Sequence, residues 1–131
     1  MPHSVHYYAS LEIAEVNYNG LVSAIDLRAS TTDLVGMQRK HGVTRFLVNI
    51  GNHEVKVTPL ELERLLDEQY WHEDVNRASR IAIIGPRQAN AREAVAFFVQ
   101  ACRKRGWKAE LLPDRRAAMD WLTTSERKQP A

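Results

Sequence analysis

Two apolar runs, each breaking off before a helix signal, constrain this chain more than any other feature. The first is TRFLVNI, from Thr44 to Ile50, and the second is SRIAIIGP, from Ser79 to Pro86. A strand that is apolar on nearly every residue is buried on both faces, which calls for a parallel sheet covered by helices on both sides. After the first run, Thr58, Pro59 and Glu61 form a helix start: an N-cap threonine, a proline in the first helical position and a capping-box acid. Leu62, Leu65, Leu66 and Tyr70 then fall on one helical face. After the second run, Asn90 and Glu93 cap a helix striped by Ala94, Val95, Phe98, Val99 and Cys102, and Gly106 stops it.

The flanking segments complete the pattern. VHYY (Val5–Tyr8) and LEIAEVNYNG (Leu11–Gly20) read as two short antiparallel strands. Ser23 and Asp26 predict a capping box for a helix running to about His41, with Val22, Ile25, Ala29, Val35 and Met37 as its apolar stripe. WKAELL is a further strand, and Pro113-Asp114 opens a last helix with Ala118, Trp121 and Leu122 inward. The predicted order is β-β-α-β-α-β-α-β-α. It describes an α/β fold with a mixed sheet of about five strands and four helices, in one domain over residues 1–122, with a polar tail from 123 to 131.

Bulk properties exclude several classes. A hydrophobic fraction of 44% and a charged fraction of 26% are those of a globular domain. The net charge of +2 gives no reason to expect nucleic acid as a partner. One cysteine, Cys102, rules out an intramolecular disulfide. No apolar run is long enough to span a membrane, and the N-terminal segment lacks the basic-then-apolar build of a secretory signal, so the expected compartment is the cytoplasm.

Four stretches, VNYNGLVSAIDL, HGVTRFLVNI, RIAIIGP and RGWKAELLPDRRAAMDWL, give the chain a resemblance to the SpoIIAA-like (STAS) family, in particular to its small stand-alone bacterial members. The resemblance covers nearly the whole chain, and its motifs are structural rather than catalytic. It implies a SpoIIAA-like fold and a non-enzymatic regulatory or protein-interaction module. Family members switched by phosphorylation carry their acceptor serine after the central strand, in an Asp-Ser-Ser/Thr-Gly type loop. The corresponding stretch here, NIGNHEVKVTP, contains no serine, and none occurs between Ser30 and Ser79. The fold is also similar to that of CRAL-TRIO lipid-binding domains, which leaves room for a small apolar ligand beside this loop.

The residues add their own candidates. Asn49, Gly51, Asn52 and His53 form a polar cluster after a buried strand, suited to lining a pocket or to making a turn. Thr58 is the hydroxyl at the switch position and also the natural cap of its helix. Tyr70 and Trp71 are interface-type residues, one expected inward and one outward. An enzyme would need His53 as acid–base beside Glu54 or Asp67. No nucleophile motif, phosphate loop, metal-ligand pattern or cofactor signature is present, and none of these is expected. Charge is uneven: seven acids against two bases from Glu54 to Asp74, then ten bases against three acids from Arg77 to Arg116. That asymmetry suits a protein partner or self-association as a homodimer.

Overall fold

The computed structural model describes residues 3–51, 53–85 and 89–124. Strands β1 (His3–Tyr8), β2 (Ile13–Tyr18), β4 (Arg45–Asn49), β6 (Arg80–Ile84) and β7 (Lys108–Leu112) form one sheet in the order β1-β2-β4-β6-β7. Only β1 is antiparallel to its neighbour; β2, β4, β6 and β7 run parallel. Helices α1 (Ala24–His41), α2 (Pro59–Arg64) and α3 (Ala89–Lys104) lie in the crossovers between parallel strands, and α4 (Arg115–Thr124) follows the last strand. The mixed five-stranded sheet and four helices agree with the sequence pattern. Two short strands were not foreseen: β3 (Val22–Ser23) and β5 (Val55–Lys56) pair in parallel just beyond the ends of β2 and β4. Helix α4 runs two residues beyond the domain boundary predicted at 122, and residues 125–131 of the predicted tail lie outside the described residues.

The two faces of the sheet differ in how much they bury. On one face Ala14, Val16 and Tyr18 of β2, Phe46 of β4 and Ile81 and Ile83 of β6 meet α1, α3 and the segment Leu65–Tyr70 in the main core. On the other, Ile13, Leu47 and Ala82 meet Ala118 and Leu122 of the short α4. Successive strand residues point to opposite faces, so the apolar runs at Phe46–Val48 and Ile81–Ile84 feed both layers.

Several helix boundaries follow from local chemistry. Ser23 Oγ accepts from the Asp26 N–H at 3.4 Å while Asp26 Oδ2 accepts from the Ser23 N–H at 2.9 Å, so the predicted capping box is formed. Gly42 closes α1 in the left-handed conformation, φ 70°. Within the apolar stripe expected along α1, Val35 is buried and Met37 packs against the core, but Ile25 is 79% exposed and Ala29 is exposed, and Ser30 and Thr31 are buried in their place. Neighbours for the hydroxyls explain the difference: Ser30 Oγ lies 2.6 Å from Tyr18 Oη, and Thr31 shares a cavity wall with the buried Tyr70. Val22 belongs to β3 rather than to the helix. The second strand also begins later than predicted, at Ile13, because the chain turns over residues 9–12 with Glu12 at φ 56°; Leu11 stays exposed.

Helix α2 passes directly into a π-helical turn, Leu65–Tyr70. The Trp71 N–H bonds to the Leu66 carbonyl at 3.0 Å and the Val75 N–H to the Tyr70 carbonyl at 3.0 Å, both five residues back. The apolar spacing explains the register. Leu65, Tyr70 and Val75 are all buried and recur every five residues, a spacing that an α-helix of 3.6 residues per turn does not hold on one face.

An ion pair fastens the α4 face. Glu15 is buried on β2, and its carboxylate accepts two bonds from Arg115, at 2.6 and 2.8 Å; Arg115 also donates to Tyr8 Oη at 3.2 Å. Burial pushes the Glu15 pKa up, but hydrogen bonds from Arg115 and Tyr8, and the charge of Arg115, outweigh it and hold the group below its usual value. The folded state therefore gains stability above the unfolded carboxylate pKa and loses it as pH falls through the lower folded value. Glu15→Gln should cost about 1–3 kcal/mol at neutral pH. The variant should also lose less stability than wild type between pH 5 and pH 3 in urea titrations; equal acid slopes would contradict this.

Candidate functional site

The main core is not fully closed. A cavity of about 60 Å³ lies between the sheet and the helical layer, with walls from Tyr18, Leu34, Val48, Leu65, Tyr70 and Phe98, among others. A second cavity of about 30 Å³ adjoins it and shares Thr31, Leu34, Val48 and Tyr70. Val48 shows that the larger one communicates with solvent. It sits on the central strand, on the same face as the buried Phe46 and Ile50, yet it is only half-buried. Leu27, Val55, Ala94 and Phe98, also in the wall, are half-buried and mark the side from which the space is reached.

The polar groups in this wall are occupied by one another. Tyr18 and Ser30 share a hydrogen bond, Ser30 donates to the Leu27 carbonyl at 3.0 Å, and Tyr70 and Thr31 stand together in the wall. Burial is the main reason the Tyr18 phenol is pushed up to about 12, and it raises Tyr70 further still. Both phenols stay protonated at neutral pH. The space offers apolar surface and no free polar partner, so it suits a hydrocarbon rather than a polar molecule.

Position relative to this cavity separates the residues singled out in the sequence. Asn49 ends β4 with its side chain on the opposite face from Val48 and Ile50, by the alternation of the strand. Gly51 turns the chain at φ 67°, with the ring of His53 and the amide oxygen of Asn49 beside its α-carbon. Asn49, Gly51 and His53 therefore group together, outside the cavity; Asn52 lies outside the described residues. It is their apolar neighbours, Val48, Ile50 and Val55, that line it. Asp67, the partner an acid–base His53 would need, is held by Arg105 at 2.7 and 3.1 Å, and those bonds keep its carboxyl below the usual range. Cys102 is buried, and burial pushes its thiol up to about 12, far from a reactive thiolate. His3 and His6 fall on opposite faces of β1, and His3 Nε2 is 2.7 Å from Asp33.

Tyr70 and Trp71 part company as expected, with Tyr70 buried and Trp71 63% exposed. The guanidinium of Arg77 lies between Trp71 and Trp107, 4.8 and 4.3 Å from the two ring centres, and donates to the Arg105 carbonyl at 2.6 Å. A surface cleft of about 280 Å³ runs beside them, bounded also by Tyr70, Asp74 and Val75. The uneven charge of the sequence is partly consumed within the fold: Asp67 pairs with Arg105, Glu68 with Arg28 and Glu73 with Arg39.

The architecture has a counterpart among solved structures. The chain is similar to the crystal structure of an uncharacterised protein of the DUF3478 family with a SpoIIAA-like fold, from Shewanella loihica PV-4. The two are 17% identical, the match covers 92% of this chain and 93% of that one, and the TM-score is 0.58. The fold is SpoIIAA-like. No family model matches the chain, and neither does any curated protein. Identity this low carries the SpoIIAA-like architecture and nothing of activity.

Thr58, the hydroxyl near the expected switch site, is engaged as a cap. Its Oγ1 accepts from the Glu61 N–H at 3.2 Å, and Glu61 Oε1 accepts from the Thr58 N–H at 2.9 Å. A phosphate on Thr58 would face the Glu61 carboxylate and break both bonds. Thr58→Ala should lower stability by about 1 kcal/mol in urea unfolding. No loss at all would mean that the cap contributes nothing.

Proposed function

We propose that this SpoIIAA-like chain is a non-enzymatic binding module that holds a slender apolar molecule between its sheet and helices. The observation that carries this is the apolar cavity reaching Val48 of the central strand, with a π-helical wall. Turns of this kind occur frequently at functional sites. Size limits the ligand. Benzene occupies an apolar cavity of about 150 Å³; about 60 Å³ is too narrow for a ring and admits the end of an unbranched alkyl chain. The exposed Leu21, Ile25 and Leu60 lie around the starts of α1 and α2, where the rest of such a chain would find apolar surface.

A cavity left empty costs about 24 cal/mol per Å³, or between about 1 and 2 kcal/mol for this volume. Ala94→Leu, which projects into the space, should therefore raise the unfolding midpoint. It should also abolish the stabilisation that 1-hexanol gives wild type in the same melt. Equal stabilisation of both proteins by hexanol would remove the reading.

A protein-contact role is a second reading, favoured by a separate observation. Trp71 projects from the surface over Arg77, and tryptophan and arginine dominate protein-binding hot spots. Trp71→Ala should leave urea stability within about 1 kcal/mol, since the side chain is exposed. It should lower the self-association constant, or the affinity for a purified partner, at least tenfold in sedimentation velocity. Unchanged association would count against this surface.

A further inference from the structure

We propose that the two cavities form one slot that measures chain length, taking a linear saturated chain with its methyl end in the smaller cavity. This rests on the apolar-ligand reading above. The cavities follow one another along the same elements. On β4, Phe46 lines the smaller and Val48 lines both; on β6, Ile81 lines the smaller and Ile83 the larger. Alternate strand residues share a face and stand about 6.5 Å apart, so the step from one cavity to the next is short. Helix α1 repeats the order: Leu27 and Ser30 line the larger cavity, Thr31 and Leu34 both, and Val35 and Gln38 the smaller. The slot therefore runs lengthwise between the sheet and α1, which suits an unbranched molecule.

The two ends of the slot differ. Leu27, Val55, Ala94 and Phe98 are half-buried and line the larger cavity alone. Val35, Phe46, Val75 and Ile81 are buried and line the smaller alone, which makes it the blind end. Gln38, in that blind end, has both amide atoms engaged. Its Nε2 donates to the Val43 carbonyl and to Ser79 Oγ, each at 2.9 Å, and its Oε1 accepts from the Asn76 N–H at 3.0 Å. A polar headgroup there would lose its water without a partner, so the head stays at the half-buried end. Thr31, Leu34, Val48 and Tyr70, shared by the two walls, form the neck between them. Tyr70 is held edge-on by Phe98 and Trp107, with ring centres 6.3 and 5.5 Å away, which fixes one side of that neck. About 10–15 Å³ of such space holds one water-sized group. On that scale the cavities of about 60 and about 30 Å³ take about four to six and about two or three chain carbons. The ligand class that fits is a primary alkyl compound with about six to nine carbons inside the wall.

Titration of 1-hexanol, 1-octanol and 1-decanol into uniformly ¹⁵N-labelled protein tests this. Each further methylene that is buried should tighten binding about fourfold, so octanol should bind wild type at least about tenfold more tightly than hexanol. Decanol should gain less than about threefold over octanol, because its added carbons lie mostly outside the wall. Val75→Leu narrows the smaller cavity alone and should bring the advantage of octanol over hexanol below about threefold. Val35→Leu narrows the same space from α1 and serves if the first variant does not fold. In wild type, the terminal methyl of octanol should show nuclear Overhauser contacts to Val75 and Ile81 rather than to Val55. Equal affinities for hexanol and octanol, an unchanged octanol advantage in the variant that folds, or methyl contacts at Val55 overturn the proposal while the apolar-ligand reading stands. Failure of all three alcohols to bind wild type overturns both.

Discussion

The π-helical turn after α2 is the constraint on which both candidate surfaces depend. Its register brings Leu65, Tyr70 and Val75 inward together and leaves Trp71 on the outside. Tyr70 then packs edge-on against Phe98 and Trp107, which ties the turn to α3 and to the start of β7. Gln69 donates to the Arg28 carbonyl and to Thr32, and Glu68 pairs with Arg28, so the turn is fastened to α1 as well. Asp67 holds Arg105 at the end of α3. A wall anchored on both sides but wider than an α-helical one bridges its neighbours without filling the space beneath it. The cavity is the gap that remains.

The opposite face of the sheet is built on a different balance. Among the described residues α4 is the helix that covers it, and a buried carboxylate lies there between apolar residues. Glu15 is 2% exposed while its partner Arg115 is 45% exposed, so the pair leads from the interior to the surface. An arginine reaching inward from solvent loses less hydration than a fully buried one, and its two bonds satisfy both oxygens of the carboxylate. Arg80 plays a related part at the far end of α4, stacking on Trp121 at 4.1 Å and donating to its backbone carbonyl at 3.1 Å. Polar tethers thus hold a short helix whose apolar contribution is confined to a few side chains.

Most of the architecture was legible because strong local signals agreed with one another. The runs at Phe46–Val48 and Ile81–Ile84, the caps at Ser23 and Thr58 and the stop at Gly42 specify elements without help from distant contacts. The α1 face was misjudged because buried Ser30 and Thr31 look solvent-facing until Tyr18 and Tyr70 are brought to them, and those partners are remote in sequence. Strands β3 and β5 have two residues each, too few for any periodicity. The π register was written in the five-residue recurrence of Leu65, Tyr70 and Val75, but Leu62, Leu66 and Tyr70 also satisfy an α-helical stripe. Attention to the polar stretch from Asn49 to His53 passed over its apolar neighbours. A cavity is made by what fails to meet in three dimensions, and no single stretch of chain records that.

The helical face of the sheet keeps an accessible apolar space under the π-helical turn. Xenon under pressure tests it most directly, because the atom enters dry apolar cavities without needing a specific partner. A crystal of the protein pressurised with xenon should show the atom between Leu34, Val48, Tyr70 and Phe98 with the backbone unmoved. A core closed around Val48, with no xenon there or with ordered water in its place, would contradict the account.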